Sequence, residues 1–250
     1  MIVLVTGASS GFGVAFAKRF AKDGAKLILA ARRGERLKSV AKEFGKNALA
    51  VELDVRDRAA VAKAIEQLPS EWKAIDVLIN NAGLALGLEP AHKASLDDWD
   101  RMVDTNVKGL MYVTRAVLPG MVERGRGHVI NIGSVAGEWP YPGGNVYGGT
   151  KAFVRQFSLN LRADLLGTPV RVTDVEPGMC SGTEFSNVRF HGDDAKAAKV
   201  YEGIDAITPE DLADTVHWLA TLPARVNVNT ISLMPVQQAF AGMSLQRRSP

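Results

Sequence analysis

Tyr147 and Lys151 stand four residues apart, and Ser134 lies upstream of both. Four residues make about one helical turn, so a helix through this segment puts the phenol and the ammonium on one face. A tyrosine phenol ordinarily ionises near pKa ~10 and is a poor base at neutrality. A neighbouring ammonium and the positive end of a helix both favour the phenolate, which lowers that value toward the working range. Ser134 closes a strand-like run, His128–Ile132, and from there its hydroxyl reaches the same point as the phenol. The set suits one task, moving a proton to or from an oxygen that a hydroxyl holds in place.

A second group suits an anion. The run Ile2–Thr6 leads into Gly7-Ala8-Ser9-Ser10-Gly11-Phe12-Gly13, and a helical pattern follows. Glycines spaced in this way permit a tight turn, let the backbone approach a pyrophosphate and let the helix pack close to the strand. The free N–H groups of the helix N-terminus then face the phosphate. Gly7, Ser9, Ser10, Gly11, Phe12 and Gly13 are therefore candidate contacts to a dinucleotide. After the next strand-like run, Lys26–Ala31, come Arg32 and Arg33, with no acid until Glu35. An acid at this place accepts from a free ribose 2′-hydroxyl, whereas an arginine pair offers forked donors to a 2′-phosphate. The expected cofactor is NADP(H), the plain alternative being a solvated basic loop. Asp54 and Val55 end the third run, and an acid there either caps the next helix or accepts from an adenine amino group.

These residues need a frame. Apolar β-rich runs at Ile2–Thr6, Lys26–Ala31, Ala48–Leu53, Val77–Ile79, His128–Ile132, Val170–Val175 and Thr230–Leu233 read as strands. Helical periods fill Gly13–Lys22, Glu35–Phe44, Arg58–Leu68, Leu96–Glu123 (two helices), Val146–Leu166 and Pro209–Thr221. Continuous apolar strands are covered on both faces. The alternation implies an α/β fold: a Rossmann-type, doubly wound, mostly parallel seven-stranded sheet with helices on both sides. Ser95 and Thr208-Pro209 mark helix starts. One domain, 1–250, is expected, with a cofactor half to about 135, a catalytic and substrate half from about 136, and no linker. The irregular stretch from Pro177 to about Gly203 leaves the sixth strand at the carboxyl edge, where doubly wound folds take their ligands.

Composition narrows the classes. With 250 residues and 46% hydrophobic content the chain can bury a large core, and a lone cysteine, Cys180, excludes a disulfide scaffold. The excess of 30 Lys+Arg over 27 Asp+Glu is small and spread out, so no nucleic-acid track is expected. No membrane span and no secretory leader are read, and the expected location is cytoplasmic. The four histidines show no ligand spacing, so no metal is expected. Cys180, with no His or Lys beside it, reads as a small neutral filler.

Taken in order, Thr6–Gly13, Asn80-Asn81-Ala82-Gly83, Asn106, Ser134, Tyr147-x3-Lys151 and Pro177-Gly178 resemble the short-chain dehydrogenase/reductase family over essentially the whole chain. The resemblance implies Tyr147 as general acid/base, Ser134 as the donor that orients the substrate oxygen, and Lys151 as the group that binds the nicotinamide ribose and tunes Tyr147. It implies that Asn106 helps hold a relay water next to Lys151. Asn81 and Gly83 are implied cofactor contacts, although Asn80 could equally brace the turn. Pro177 and Gly178 open a loop over the nicotinamide, and Thr183, or Ser181 close by, supplies a hydroxyl to the carboxamide. The family also implies a homotetramer built on two helices, Leu110–Glu123 and Val146–Leu166.

The segments 81–95, 138–147 and 182–190 resemble one branch, the NADP-dependent 3-hydroxy acid dehydrogenases that act on serine or L-allo-threonine and reduce malonic semialdehyde. The expected substrate is thus a small hydroxy or oxo acid, and 3-hydroxypropionate belongs to the same set. A short acid needs a cation, and Arg189 in the covering loop is the candidate, the alternative being a solvated loop arginine. Trp139 and Tyr141 either line the pocket or pack. Two rival functions stand beside this one: a broad carbonyl or ketoacyl reductase, and a non-catalytic NADP(H)-sensing protein.

Overall fold

The structure, a computed structural model, describes residues 1–240. The last ten residues of the catalytic half, 241–250, lie outside the described residues. Seven strands form a single sheet in the order β3-β2-β1-β4-β5-β6-β7, with β1 Ile2–Thr6, β2 Lys26–Ala31, β3 Ala48–Glu52, β4 Val77–Asn80, β5 Gly127–Ile132, β6 Val170–Pro177 and β7 Thr230–Leu233. Every pair is parallel, β6 with β7 included, where a mostly parallel sheet was expected. Parallel strands need crossovers, and the helices that supply them cover both faces.

Helices α1 (Gly11–Ala21) and α2 (Gly34–Lys42) pack on one face. There Phe16, Phe20, Leu37, Leu212 and Val216 close over Val3, Val5, Leu27 and Leu29. The alternate residues Leu4, Ile28, Leu78 and Val129 face the other layer and meet α3 (Arg58–Glu66) through Val61. Along β1 all five side chains are buried, as a strand covered on both sides requires.

The segment expected as two helices over Leu96–Glu123 is α4 (Leu96–Val103), a π-turn at Asp104–Gly109 and α5 (Leu110–Glu123). The apolar period runs through without a break, so nothing in it announces the extra residue of a π-turn. Gly109 permits the bulge to lie against the end of β3, because a Cβ there would come within 2.6 Å of Val55 Cγ2. The long helix α6 runs Asn145–Asp164. After β6 the irregular stretch holds two short helices, α7 (Phe185–Arg189) and α8 (Asp194–Lys199). Ser95 caps α4 by accepting from Asp98 N, without the reciprocal bond of a full capping box. At α9 (Pro209–Thr221) the box around Thr208 and Asp211 is complete.

The sheet order reverses beside β1, between β1 and β4. The carboxyl ends of β1, β4, β5 and β6 open into a common crevice there, as the topology requires.

Candidate active site

A cavity of ≈ 620 Å³ occupies this crevice. One end is built on the glycine turn. Gly7 and Gly11 have φ of 67° and 50°, the left-handed region that glycine enters without strain. Gly13 is not in the cavity wall. Its α-carbon seats α1 on the turn, since a Cβ there would lie 2.4 Å from the Gly7 carbonyl. Ser10, before the helix, makes no side-chain cap, so the first N–H groups of α1 face the cavity. Gly7, Ser9, Ser10, Gly11 and Phe12 line it, with Arg32, Arg33, Asp54 and Val55 beside them.

Arg32 is exposed and makes no hydrogen bond to the described residues. Arg33 is engaged, its Nε 3.2 Å from Ser9 Oγ and its Nη2 2.7 Å from Ser10 Oγ. Asp54 does not cap the next helix. Asp57 does so, accepting from Ala59 and Ala60 N–H. The Asp54 carboxylate instead receives Arg56 through Nε and Nη2, and that bonding holds its carboxyl below the usual range. Asn81 braces the turn as well as lining the cavity, its Nδ2 donating to the Thr6 carbonyl at 2.8 Å. Asn80 points away, into a buried cluster with Thr114 and Asn131.

The other end holds the residues expected to transfer a proton. Ser134, Tyr147 and Lys151 are all buried and all line the cavity. The Ser134 hydroxyl faces Tyr147 and favours its phenolate, and Arg189 acts in the same sense. Burial outweighs both and pushes the phenol well above its ordinary value. This corrects the expectation that the ammonium brings Tyr147 down. Lys151 Nζ lies 5.8 Å from the centre of the Tyr147 ring and donates to the Ile132 carbonyl at 2.7 Å. Burial lowers Lys151 to about 8, with Asp174 opposing the loss of its proton. Asn106 stands behind the wall. Its amide is used on the Leu84 backbone N–H and carbonyl and on Thr150 Oγ1. Gly83 separates it from Lys151, a Cβ there falling 3.3 Å from Asn106 Oδ1 and 3.8 Å from Lys151 Nζ.

The stretch after β6 forms the roof. Pro177, Gly178 and Thr183 line the cavity while Ser181 does not, and Thr183 lies over Gly11, 3.1 Å from where a Cβ would be. Cys180 is a wall residue whose thiol burial raises to about 12, so it is neutral. Arg189, at the end of α7, enters the cavity beside the phenol. Its Nη2 is 2.7 Å from Tyr141 Oη, its Nε 3.2 Å from the Gly87 carbonyl, and its guanidinium carbon 5.7 Å from the centre of the Tyr147 ring. Trp139, Tyr141, Phe185 and Val188 complete this end.

Two features escape a reading of the sequence. Glu184 bridges Arg33 (2.9 Å) and Arg36 (2.5 Å), which fastens the roof to the loop after β2. The partners are 151 and 148 positions apart, with no local pattern to link them. Gln238 also belongs to the wall, its Oε1 accepting from Met179 N at 2.7 Å. No spacing connects it to the other wall residues.

The chain is similar to known proteins in sequence and in fold. The chain is 66% identical over 247 residues to the NADP-dependent 3-hydroxy acid dehydrogenase YdfG of Salmonella typhi, covering 99% of this chain and 100% of that one. It is 52% identical over 247 residues to a serine 3-dehydrogenase of Rhizobium radiobacter, covering 99% and 98%. Among solved structures, the closed form of a serine dehydrogenase complexed with NADP+ matches with a TM-score of 0.98 at 62% identity, over 99% of this chain and 100% of that one. A serine dehydrogenase from Escherichia coli matches with a TM-score of 0.86 at 57% identity, over 96% and 100%. The short chain dehydrogenase model matches residues 1–194, a span that holds the glycine turn, the Ser134–Tyr147–Lys151 set and the roof as far as Arg189. By fold, site and likeness the chain belongs to the short chain dehydrogenase family.

Proposed function

We propose that the chain is an NADP-dependent dehydrogenase that interconverts short 3-hydroxy acids and their 3-oxo acids. L-serine, L-allo-threonine and 3-hydroxypropionate are the hydroxy acids, and malonic semialdehyde is an example of the oxo acid. The observation that carries the substrate class is Arg189, a guanidinium fixed by Tyr141 and Gly87 beside the Tyr147 phenol. The walls around it are largely aromatic and aliphatic, so a small carboxylate finds a forked cation there.

The residues fit NADP(H). The glycine turn and the open end of α1 suit the pyrophosphate, Arg32 and Arg33 the 2′-phosphate, and Asp54 and Val55 the adenine. Asn81, Gly83 and Lys151 suit the nicotinamide ribose side, with Pro177, Gly178 and Thr183 over the carboxamide. Bound NADP(H) supplies or accepts the hydride. The chain does the rest. Ser134 donates to the substrate oxygen and fixes its place. In reduction the raised phenol of Tyr147 is protonated and gives its proton to that oxygen; in oxidation it first becomes phenolate and takes the proton back. Lys151, as an ammonium, favours the phenolate, and the backbone around Asn106 supports the pocket behind it. An oxo acid formed from serine or allo-threonine is a β-keto carboxylate and loses carbon dioxide without further help.

A homotetramer through α5 and α6 completes the proposal. These helices expose Met111, Val122 and Leu159 and carry a stacked pair, Phe153–Phe157, with ring centres 5.6 Å apart. A single cysteine, Cys180, suits a reducing cytoplasm, and no helix among the described residues is long and apolar enough to cross a membrane. The decisive experiment is initial rates with NADP+ and NAD+ across L-serine, L-allo-threonine, L-threonine, 3-hydroxypropionate and neutral alcohols. Turnover confined to hydroxy acids with NADP+ is expected. Preference for neutral alcohols or ketoacyl thioesters would replace the substrate assignment, and no turnover on any substrate would leave a cofactor sensor.

A further inference from the structure

Two carboxyls lie under α6, on the side of Lys151 away from the cavity, and the proposed chemistry does not use them. Asp174 pairs with Asn131 across β5 and β6, so the two side chains share a sheet face, and Asn131 Nδ2 donates to Ser158 Oγ on α6. Glu176, two residues along β6, points the same way. Both are buried, at 0% and 1% exposure. Their four oxygens accept no hydrogen bond from the described residues. Gly133 makes room for Asp174, because a Cβ there would come within 2.3 Å of Oδ1. Gly133 follows Ile132, whose carbonyl receives Lys151 Nζ, so the ammonium and the Asp174 carboxyl flank one stretch of backbone.

The groups that face the pair are few. Helix α6 supplies Lys151 and, one turn on, Arg155. The turn after β5 supplies Glu138, and β7 sets only Thr230 and Ser232 alongside. Arg155 Nη1 is 2.6 Å from Glu138 Oε2 and 3.4 Å from Glu176 Oε1. Arg155 and Glu138 pair at the part-exposed edge, so inside one ammonium confronts two carboxyls, and that buried set is neutral when one proton stays on the acids. Adjacent buried carboxyls cannot both ionise cheaply, so that proton belongs to the pair. Burial raises both acids, and Arg155 opposes the rise at Glu176.

We propose that Asp174 and Glu176 are positioning residues for the proton transfer at Tyr147: they hold one proton between them, and the single negative charge left keeps Lys151 an ammonium. The inference rests on the reading of Tyr147 as the proton-transfer group, and the experiment separates the two.

The test follows Lys151 directly by NMR of protein carrying isotope-labelled lysine, its signal assigned with K151R, beside the pH profile of kcat/KM for hydroxy-acid oxidation. D174N/E176Q removes the negative charge that the pair keeps behind the ammonium. Lys151 then titrates about one pH unit lower, and the acid limb of the oxidation profile moves up by a similar amount because the phenolate loses its counter-ion. E176Q alone has the opposite sign, since Asp174, without its competing neighbour, gives up its proton and carries the charge itself; Lys151 titrates higher and the limb moves down. A Lys151 midpoint unmoved in D174N/E176Q, or shifts of the same sign in both variants, reduces the pair to packing and overturns the proposal. Should D174N/E176Q not fold, E176Q decides alone, a midpoint that fails to rise being fatal. Full turnover in Y147F would remove the proton-transfer reading itself. An inactive Y147F with an unmoved Lys151 in D174N/E176Q would remove only this inference.

Discussion

At the scale of single residues, the proposed chemistry turns on the phenol of Tyr147, and its surroundings set the direction of pH dependence. Burial keeps it protonated, so it stands ready as an acid, and oxidation must wait for its proton to leave. Oxidation rates are therefore expected to climb with pH while reduction does not. Y147F should lower kcat in both directions by about 10²- to 10⁴-fold, and S134A by about 10²-fold, with NADPH binding by fluorescence titration retained. Arg189→Met makes a different kind of change, since it removes a charged hydrogen-bond donor from the substrate and not from the reacting atoms. KM for hydroxy acids should rise roughly ten- to a hundredfold with NADP+ affinity unaltered, and an unchanged KM would take Arg189 out of the site. The types and order of Ser134, Tyr147 and Lys151 were legible from their spacing because the chemistry constrains them. The rise at Tyr147 was not, since desolvation depends on how many neighbours close over a side chain, and helical spacing says nothing about that.

At the scale of elements, the strands were readable because burial on both faces leaves them continuously apolar, and the helices because only one face is. The errors fall where that logic is silent. Strand β6 runs two residues beyond Val175, through Glu176 and Pro177, because an acid and a proline look like the start of a loop. The π-turn before α5 keeps the helical period and so hides itself. The tie from α7 to the loop after β2 depends on Glu184, and its consequence is a competition. A 2′-phosphate and the Glu184 carboxylate both call on Arg33, and Glu184 stays ionised at any working pH because Arg36 and Arg33 hold its carboxyl at about 2. E184Q is expected to tighten NADP+ binding by about threefold, the modest scale of an exposed ion pair, and to leave NAD+ binding unchanged. Calorimetric titration with each nucleotide checks this. Weaker NADP+ binding would mean that the roof, and not the freed arginines, dominates affinity.

At the scale of the whole molecule, the buried groups make folding exchange protons with solvent, and each exchange has a sign. Burial lowers His128 to about 3, so its contribution is present above the ordinary histidine value of 6.5 and is lost as pH falls toward the folded value. Lys151, lowered from 10.5 to about 8, has the same sign at high pH: the folded chain binds fewer protons than the unfolded one between those values, and stability rises with pH there. Between 6.5 and about 8 neither acts, and the carboxyl pair is left. Asp174 is raised, so the folded state keeps a proton that the unfolded chain has already released. Its contribution is complete below the ordinary aspartate value and is lost as pH rises through the folded one. Unfolding should therefore release about one proton in this window, and the denaturation midpoint should fall as pH climbs across it. D174N carries no such proton, so its midpoint should be flat over the same range and lie above that of the parent at the upper end. Urea titrations at closely spaced pH values measure both slopes. A parent protein whose stability does not change across the window would show that Asp174 and Glu176 fold fully ionised, against the cost of burying two like charges side by side.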